Sequence, residues 1–263
     1  MAENTLSKII NNKKKELLNL KKKISVESLI EIIKDNNFFY NFKKKIQSNV
    51  SNNKISLIAE VKKASPSAGV IMQNYDPVNI AEKYCKNKAT CLSVLTEEKF
   101  FQGNMIHLNK IKQKVNLPIL CKDFFIDPFQ IPLAKSYGAD AILIILSGVS
   151  EEMANQLYED ALKFNMSVII EVHTAAEAKI SLKFKEALIG INNRNLKTLV
   201  TNINTTYDIH DILIKHAGPL VSESGFKSKH ELLEIVKKTK IKTFLIGESL
   251  LKSIDKNSIF SLL

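Results

Sequence analysis

The sequence predicts an α/β fold, a (β/α)8 TIM barrel preceded by an additional N-terminal helical segment. Three observations carry the prediction. From Ile55 onward, eight short β-rich runs alternate with helical patterns. The chain has 263 residues, close to the roughly 250 that such a barrel uses. Nearly every β-rich run ends in an acid, an amine or an amide, and a closed parallel barrel gathers those ends on one rim.

Residues 1–50 read as a helical extension, and residues 51–263 as the barrel, the two forming one domain overall. Leu6, Ile9, Ile10, Leu17 and Leu20 recur at helical spacing, interrupted by Lys13-Lys14-Lys15 and Lys21-Lys22-Lys23. Ser25 with Ser28-Leu29-Ile30-Glu31 suggests a second helix start, and Phe38, Phe39, Tyr40 and Phe42 form an aromatic cluster. A basic amphipathic arm of this kind can lie on a membrane surface, but more often its apolar stripe packs on its own domain. The β-rich runs that follow are Ile55–Val61, Cys91–Leu95, Leu117–Lys122, Ala141–Leu146, Ser167–Val172, Leu188–Asn192, Pro219–Ser222 and Thr243–Gly247. Helical patterns occupy Val78–Lys86, Met105–Lys114, Pro128–Tyr137, Glu151–Phe164, Ala175–Leu182, Asn204–His216 and Lys229–Lys238. A doubly wound open sheet is the competing architecture; it usually has fewer strands and a Gly-rich first turn, and the sequence contains no GxGxxG.

Composition narrows the function. Net charge is +11, but residues 1–54 hold 12 lysines against 5 acids, so most of the excess sits in the extension. Among 38 basic residues only Arg194 is an arginine, whereas nucleic-acid readers lean on arginine forks. The lysines read as solvated helix faces, and no nucleic-acid partner is expected. No apolar run approaches the roughly 18 residues of a membrane span, and the basic start lacks the apolar centre of a signal peptide. The expectation is a cytoplasmic protein without a membrane partner. Cys85, Cys91 and Cys121 form no CxxC, and the five histidines no HxxxH pair, so neither a disulfide framework nor a metal is expected. No strand edge or heptad demands a second subunit, which favours a monomer.

The chemistry concentrates at the strand ends. In Ile55–Ser67 a buried-looking strand runs into Glu60 and Lys62, which lie two residues apart and so share a face. A carboxylate and an ammonium there need partners or a ligand, because burying them unpaired costs several kcal/mol. Ser65-Pro66-Ser67 then closes the strand. The turns Ser222-Glu-Ser-Gly225 and Ile246-Gly-Glu-Ser249 follow the last two strands, where barrels of this kind commonly hold a phosphate on backbone N–H groups. Gly225 and Gly247 permit close approach to such an anion. Lys122 and Glu171 end the third and fifth strands, with Lys62 at the first. Partial burial is expected to lower the lysine pKa and raise the glutamate pKa toward neutrality, as an acid and a base require. These features support a phosphorylated small-molecule substrate and proton-transfer or lysine chemistry at a carbonyl, without choosing a reaction.

At these residues the sequence resembles the indole-3-glycerol phosphate synthases. The resemblance runs through Ile58-Ala-Glu-Val-Lys-Lys-Ala-Ser-Pro-Ser67, Leu92-Ser-Val-Leu-Thr-Glu-Glu-Lys-Phe-Phe-Gln-Gly103 and Leu120-Cys-Lys-Asp-Phe-Phe-Ile-Asp127. It continues in Glu171-Val-His173, Gly190-Ile-Asn-Asn-Arg-Asn-Leu196, Ser222-Glu-Ser-Gly225 and Leu245-Ile-Gly-Glu-Ser249. It implies ring closure, decarboxylation and dehydration of 1-(2-carboxyphenylamino)-1-deoxyribulose 5-phosphate in tryptophan biosynthesis, with no cofactor. It implies Lys122 as the general acid at the ribulose carbonyl, Glu171 as the group assisting dehydration, and Lys62 as a holder of the substrate's anions that shares in proton delivery. Glu60 and Asn192 would orient the amine and hydroxyls, with Arg194 and Glu223 nearby at the substrate. Ser65, Ser224, Gly225, Gly247 and the amide of Glu248 would bind substrate and phosphate, while Phe101 and Phe124 would wall the aromatic ring. Two positions depart from the family's pattern: Ala68 stands where a basic residue is frequent, and Glu248 where a serine is frequent, so the Glu248 carboxylate is expected to turn away from a phosphate.

Two other functions compete. One is a Schiff-base aldolase-like barrel in which Lys122 or Lys62 attacks a sugar ketone. The other is a nucleic-acid-binding protein that uses the basic arm, although the aromatic residues sit in apolar company rather than beside basic ones.

Overall fold

The computed structural model describes residues 4–35 and 38–263, so the part of the helical expectation over 1–50 that falls on residues 1–3 and 36–37 lies outside the described residues. Eight parallel strands close into a barrel: β1 (Ser56–Val61), β2 (Cys91–Leu95), β3 (Ile119–Lys122), β4 (Ala141–Ile145), β5 (Ser167–Val172), β6 (Leu188–Asn192), β7 (Leu220–Glu223) and β8 (Thr243–Ile246). Each pairs with its neighbours in sequence, and β1 closes the ring on β8 through Ala59↔Ile246.

Side chains alternate along every strand. Ile58, Leu120, Leu143, Ile169, Val221 and Leu245 point inward and fill the barrel. Leu57, Val94, Cys121, Ile144, Ile170, Ile189 and Phe244 point outward against the helices. Strands so covered are buried on both faces, which is why they read as continuous apolar runs. The outer helices are α4 (Pro77–Lys86), α5 (Ile106–Lys112), α6 (Gln130–Ser136), α7 (Glu151–Lys163), α8 (Ala175–Ser181), α9 (Asn204–Leu213), α10 (Lys229–Thr239) and α11 (Glu248–Lys252). Several starts are capped by their own sequence. The Asp76 side chain accepts from the N–H groups of Val78 and Asn79 ahead of α4, with Pro77 at its first turn, and Thr174 caps α8 through the N–H of Glu177.

The extension folds as α1 (Thr5–Lys21), α2 (Val26–Asp35) and α3 (Phe42–Ser51). α3 covers the end of the barrel where strands begin: Phe42 and Ile46 reach the interior residues, the N–H of Lys43 donates to Ser167 Oγ, and Asn49 Nδ2 donates to Thr90 Oγ1. At the far end of the extension, Leu6 and Ile9 of α1 join the same interior cluster beside Phe101 and Phe124. Between them, Leu17 and Leu29 pack on Phe129 and Leu133 beside α6. The extension therefore runs from the rim where strands end, down the flank, to the opposite rim. Among the described residues, no helix is long and apolar enough to cross a membrane.

Candidate active site

The inward positions that end the strands open on a cavity of about 610 Å³. Its floor is charged. Lys122, the last residue of β3, sends its ammonium 2.9 Å from Glu171 Oε2 on β5 and 2.8 Å from Glu223 Oε2 on β7. Asn192, ending β6, donates from Nδ2 to Glu171 Oε1 at 3.1 Å, so both oxygens of that carboxylate are held. Lys62 pairs with Glu60 on the same face of the chain, the partnership that burial demanded of them.

The electrostatics differ from the expectation of two groups tuned toward neutrality. Burial alone would lower the Lys122 pKa, but Glu171, then Glu223 and Glu60, more than offset it and raise it. Burial likewise works to raise Glu171, yet Lys122 and His173 hold it below its ordinary value. Glu223 is the group that moves toward neutrality: burial and the neighbouring Glu171 charge outweigh Lys122 and push it up to about 7. Among the described residues its Oε1 has no hydrogen-bond partner, and it lies against Gly190, the one inward position of β6 without a side chain.

The walls and rim carry the other expected residues. Phe101 and Phe124 face each other at 6.1 Å between ring centroids and line the cavity together with Leu6 and Ile9 of α1. Ser65 pairs with Gly69 in the short antiparallel pairing of Ala64–Ser65 with Gly69–Val70 that follows β1. Arg194 spans the mouth, donating from Nη1 to Ser67 Oγ at 2.6 Å and from Nε to Thr201 Oγ1 at 3.2 Å, with Glu248 Oε2 at 3.6 Å from Nη2. Ser224 and Gly225 both take left-handed backbone conformations (φ 68° and 92°), which turn the loop after β7 over the cavity. The Ser224 N–H already donates to the Leu245 carbonyl at 3.3 Å, so what it offers an anion is its hydroxyl. Gly247 sits against Glu60, where a Cβ would overlap the carboxylate. The Glu248 carboxylate turns to Lys252, which donates at 2.6 Å and, as the largest influence, lowers its pKa.

A family model described as indole-3-glycerol phosphate synthase matches residues 6–262. The chain belongs to the indole-3-glycerol phosphate synthase family. Relatives bearing that name include one from Bordetella pertussis, 37% identical over 250 residues and covering 95% of both chains. Another, from Prochlorococcus marinus strain MIT 9515, is 42% identical over 260 residues, covering 97% of this chain and 87% of the relative. Among solved structures, a tryptophan synthase alpha chain from Legionella pneumophila superposes with a TM-score of 0.61 at 11% identity, over 86% of this chain and 95% of that one. A phosphoribosylanthranilate isomerase from Thermotoga maritima gives 0.53 at 10% identity, over 79% and 94%. At such identities these two share the barrel alone.

Every residue singled out by the family resemblance lines the cavity except Glu223, which is fully buried behind Lys122 and touches that lysine instead. The sequence reading did not single out Ser249, Lys227 or Lys252, which also line the cavity, with Ser249 Oγ buried and without a hydrogen-bond partner among the described residues. Nor did it give a role to Leu6 and Ile9, although their spacing on one stripe of α1 was the available signal.

Proposed function

We propose that the cavity binds 1-(2-carboxyphenylamino)-1-deoxyribulose 5-phosphate and converts it to indole-3-glycerol phosphate, with Lys122, Glu171 and Lys62 as the catalytic groups. The observation that carries the assignment is the Lys122 ammonium, held between two buried carboxylates at the cavity floor. Attack of the carboxyl-bearing ring carbon on the ribulose ketone builds negative charge on the carbonyl oxygen. An ammonium at hydrogen-bond distance neutralises that charge by giving up a proton. Loss of carbon dioxide restores the aromatic ring. The hydroxyl left at the former carbonyl carbon then takes a proton from Lys62 and departs as water, while Glu171, an ionised carboxylate in the same hydrogen-bonded group, accepts the proton released by the carbon between that centre and the ring nitrogen. The carboxylates that keep Lys122 charged disfavour the aldolase reading, because a Schiff-base lysine must be a neutral amine to attack.

Lys62 meets the substrate's anions by exchanging its bond to Glu60 for one to carboxylate or phosphate. The Ser224 hydroxyl, the turn at Gly225, and the backbone N–H groups at Gly247 and Glu248 receive the phosphate. Phe101 and Phe124 flank the anthranilate ring, whose stacking and apolar contact favour such a slot. Glu60, Ser65, Asn192 and Arg194 orient the rest, and Glu223 acts on Lys122. The extension 1–50 and the barrel 51–263 work as one domain, in a cytoplasmic monomer without nucleic-acid or membrane partners.

The test is direct: mix the protein with this substrate and follow the appearance of indole fluorescence. Lys122→Ala is expected to lower turnover by at least about 100-fold, the scale of a lost general acid, with an unchanged circular dichroism spectrum. A variant of near-normal rate would remove Lys122 from the mechanism.

A further inference from the structure

His173, just past the end of β5, keeps its ring largely covered beside the proposed catalytic group, and the proposed chemistry gives it no task. Its ring lies between two carboxylates on opposite sides. Nε2 is 3.2 Å from Glu171 Oε1, near enough for charge attraction but out of line for a hydrogen bond, and Nδ1 is 3.3 Å from Glu177 Oε2. Glu177 is itself fixed. Its Oε2 accepts the backbone N–H of His173 at 2.7 Å, and its own N–H donates to Thr174 Oγ1 at 3.2 Å in the cap of α8. The ring orientation is therefore set from the outer helix layer and delivered to the cavity floor.

We propose that His173 is a positioning residue for Glu171: clamped by Glu177, it holds the Glu171 carboxylate in place and keeps it anionic while Lys122 is giving up its proton. The inference rests on the reading of Lys122 as acid and Glu171 as proton acceptor. The groups facing Glu171 are Lys122 from β3, Asn192 from β6 and Glu223 from β7, while Glu60 on β1 acts on Lys122. The groups facing His173 are Glu171 and Glu177.

Once Lys122 has delivered its proton, it is a neutral amine beside two buried carboxylates. An isolated buried carboxylate takes up a proton rather than staying charged. A second cation, outside the proton path, prevents that and leaves Glu171 free to accept the dehydration proton. His173 suits the part: burial would lower its pKa, but its two carboxylate neighbours raise it to about 9, so it stays an imidazolium through neutral pH.

The experiment compares the pH dependence of kcat for the wild type, His173→Gln, His173→Ala, Glu177→Gln and Glu171→Gln, using the full chain and the same fluorescent product. His173→Gln keeps a donor near Glu171 and removes the charge. The acid limb of its kcat profile is expected to move up by about one unit, the shift that loss of a neighbouring opposite charge produces, with KM within about twofold. His173→Ala loses the donor as well, and its kcat should fall roughly tenfold further. Glu177→Gln leaves the ring in place and should move the limb the same way by less, which preserves the test if the alanine variant fails to fold. An unmoved limb in both His173→Gln and Glu177→Gln, with Glu171→Gln inactive, would overturn the positioning role. Near-normal turnover by Glu171→Gln would instead sink the underlying assignment of Glu171.

Discussion

The Lys13 ammonium lies 2.9 Å from Asp123 Oδ1, joining the first helix of the extension to the residue that follows Lys122. Asp123 also accepts from Thr96 Oγ1 at 2.6 Å and from the N–H of Phe124 at 2.7 Å. Lys13 is 2% exposed, so it is an ion inside the protein. Burial alone would lower its pKa, but Asp123 and Glu16 raise it, and the lysine stays charged. Removing one member of such a pair strands the other. Lys13→Met is therefore expected to cost about 3–5 kcal/mol of stability in urea unfolding, and to lower kcat by loosening the strand end that carries Lys122. The double variant with Asp123→Asn should recover most of the lost stability. Costs that simply add would show that the two residues do not interact.

Glu223 gives the protein a distinctive stability profile. Its folded pKa, about 7, lies above the ordinary 4.5. Between those values the folded state binds more protons at this site than the unfolded state does. Stability contributed here falls as pH rises from about 4.5 through about 7, the reverse of a salt-bridged carboxylate. Glu171, held low by Lys122, contributes in the usual sense, and its contribution is lost only as pH falls below the ordinary carboxylate range. Glu223→Gln should flatten the decline between pH 4.5 and 7 in urea midpoints. A decline that persists unchanged in the variant would place its origin elsewhere.

Gly190 is where the barrel makes room for that carboxylate. It faces inward on β6, paired in register with Glu171 on β5 and Val221 on β7. A Cβ there would overlap Glu223 Oε1 and come within 3.0 Å of Ile169 Cγ2. The cheaper adjustment is for the carboxylate to swing away, taking its contact with Lys122 along. Gly190→Ala should lower kcat by roughly tenfold or more while KM changes little, since Glu223 touches Lys122 and does not itself line the cavity. An increase in KM alone would contradict this arrangement.

The strands were legible because each is a short apolar run buried on both faces, and the rim residues because alternation puts Glu60, Lys122, Glu171 and Asn192 on the inner side. Strand ends shifted by a residue or two where pairing decides: β3 begins at Ile119, opposite Leu92, rather than at Leu117. The Ala64–Ser65 and Gly69–Val70 pairing and the five-residue α11 are too short to leave a periodic trace. Titration was not legible at all. Taken singly, a buried lysine falls and a buried glutamate rises; the outcome for Lys122 was reversed by partners 49 and 101 positions away, and that for Glu171 by Lys122 together with His173. Lys13 shows the same limit. It stands in a run of three lysines, and only its place on the stripe of Leu6, Ile9 and Leu17 distinguishes it from its exposed neighbours Lys14 and Lys15.

Far from the cavity, Lys135 on α6 offers a check on the same reasoning where no catalysis interferes. Its ammonium lies 3.2 Å from the centre of the Phe39 ring, near Asp140 and Lys112, and the residue is 4% exposed. Burial is the dominant influence and the Asp140 charge offsets it only in part, so the pKa drops to about 8. Here the unfolded chain binds the extra proton, between pH 8 and the ordinary 10.5, and stability should rise with pH across that window. Lys135→Met fills the same space without a charge to desolvate. It gives up a cation–π contact worth about 0.5–2 kcal/mol and removes a desolvation cost at least as large. The variant should therefore be at least as stable as the wild type at pH 7 and should lose the rise between pH 8 and 10.5. A large loss of stability at pH 7 would mean that the aromatic contact, and not burial, governs this lysine.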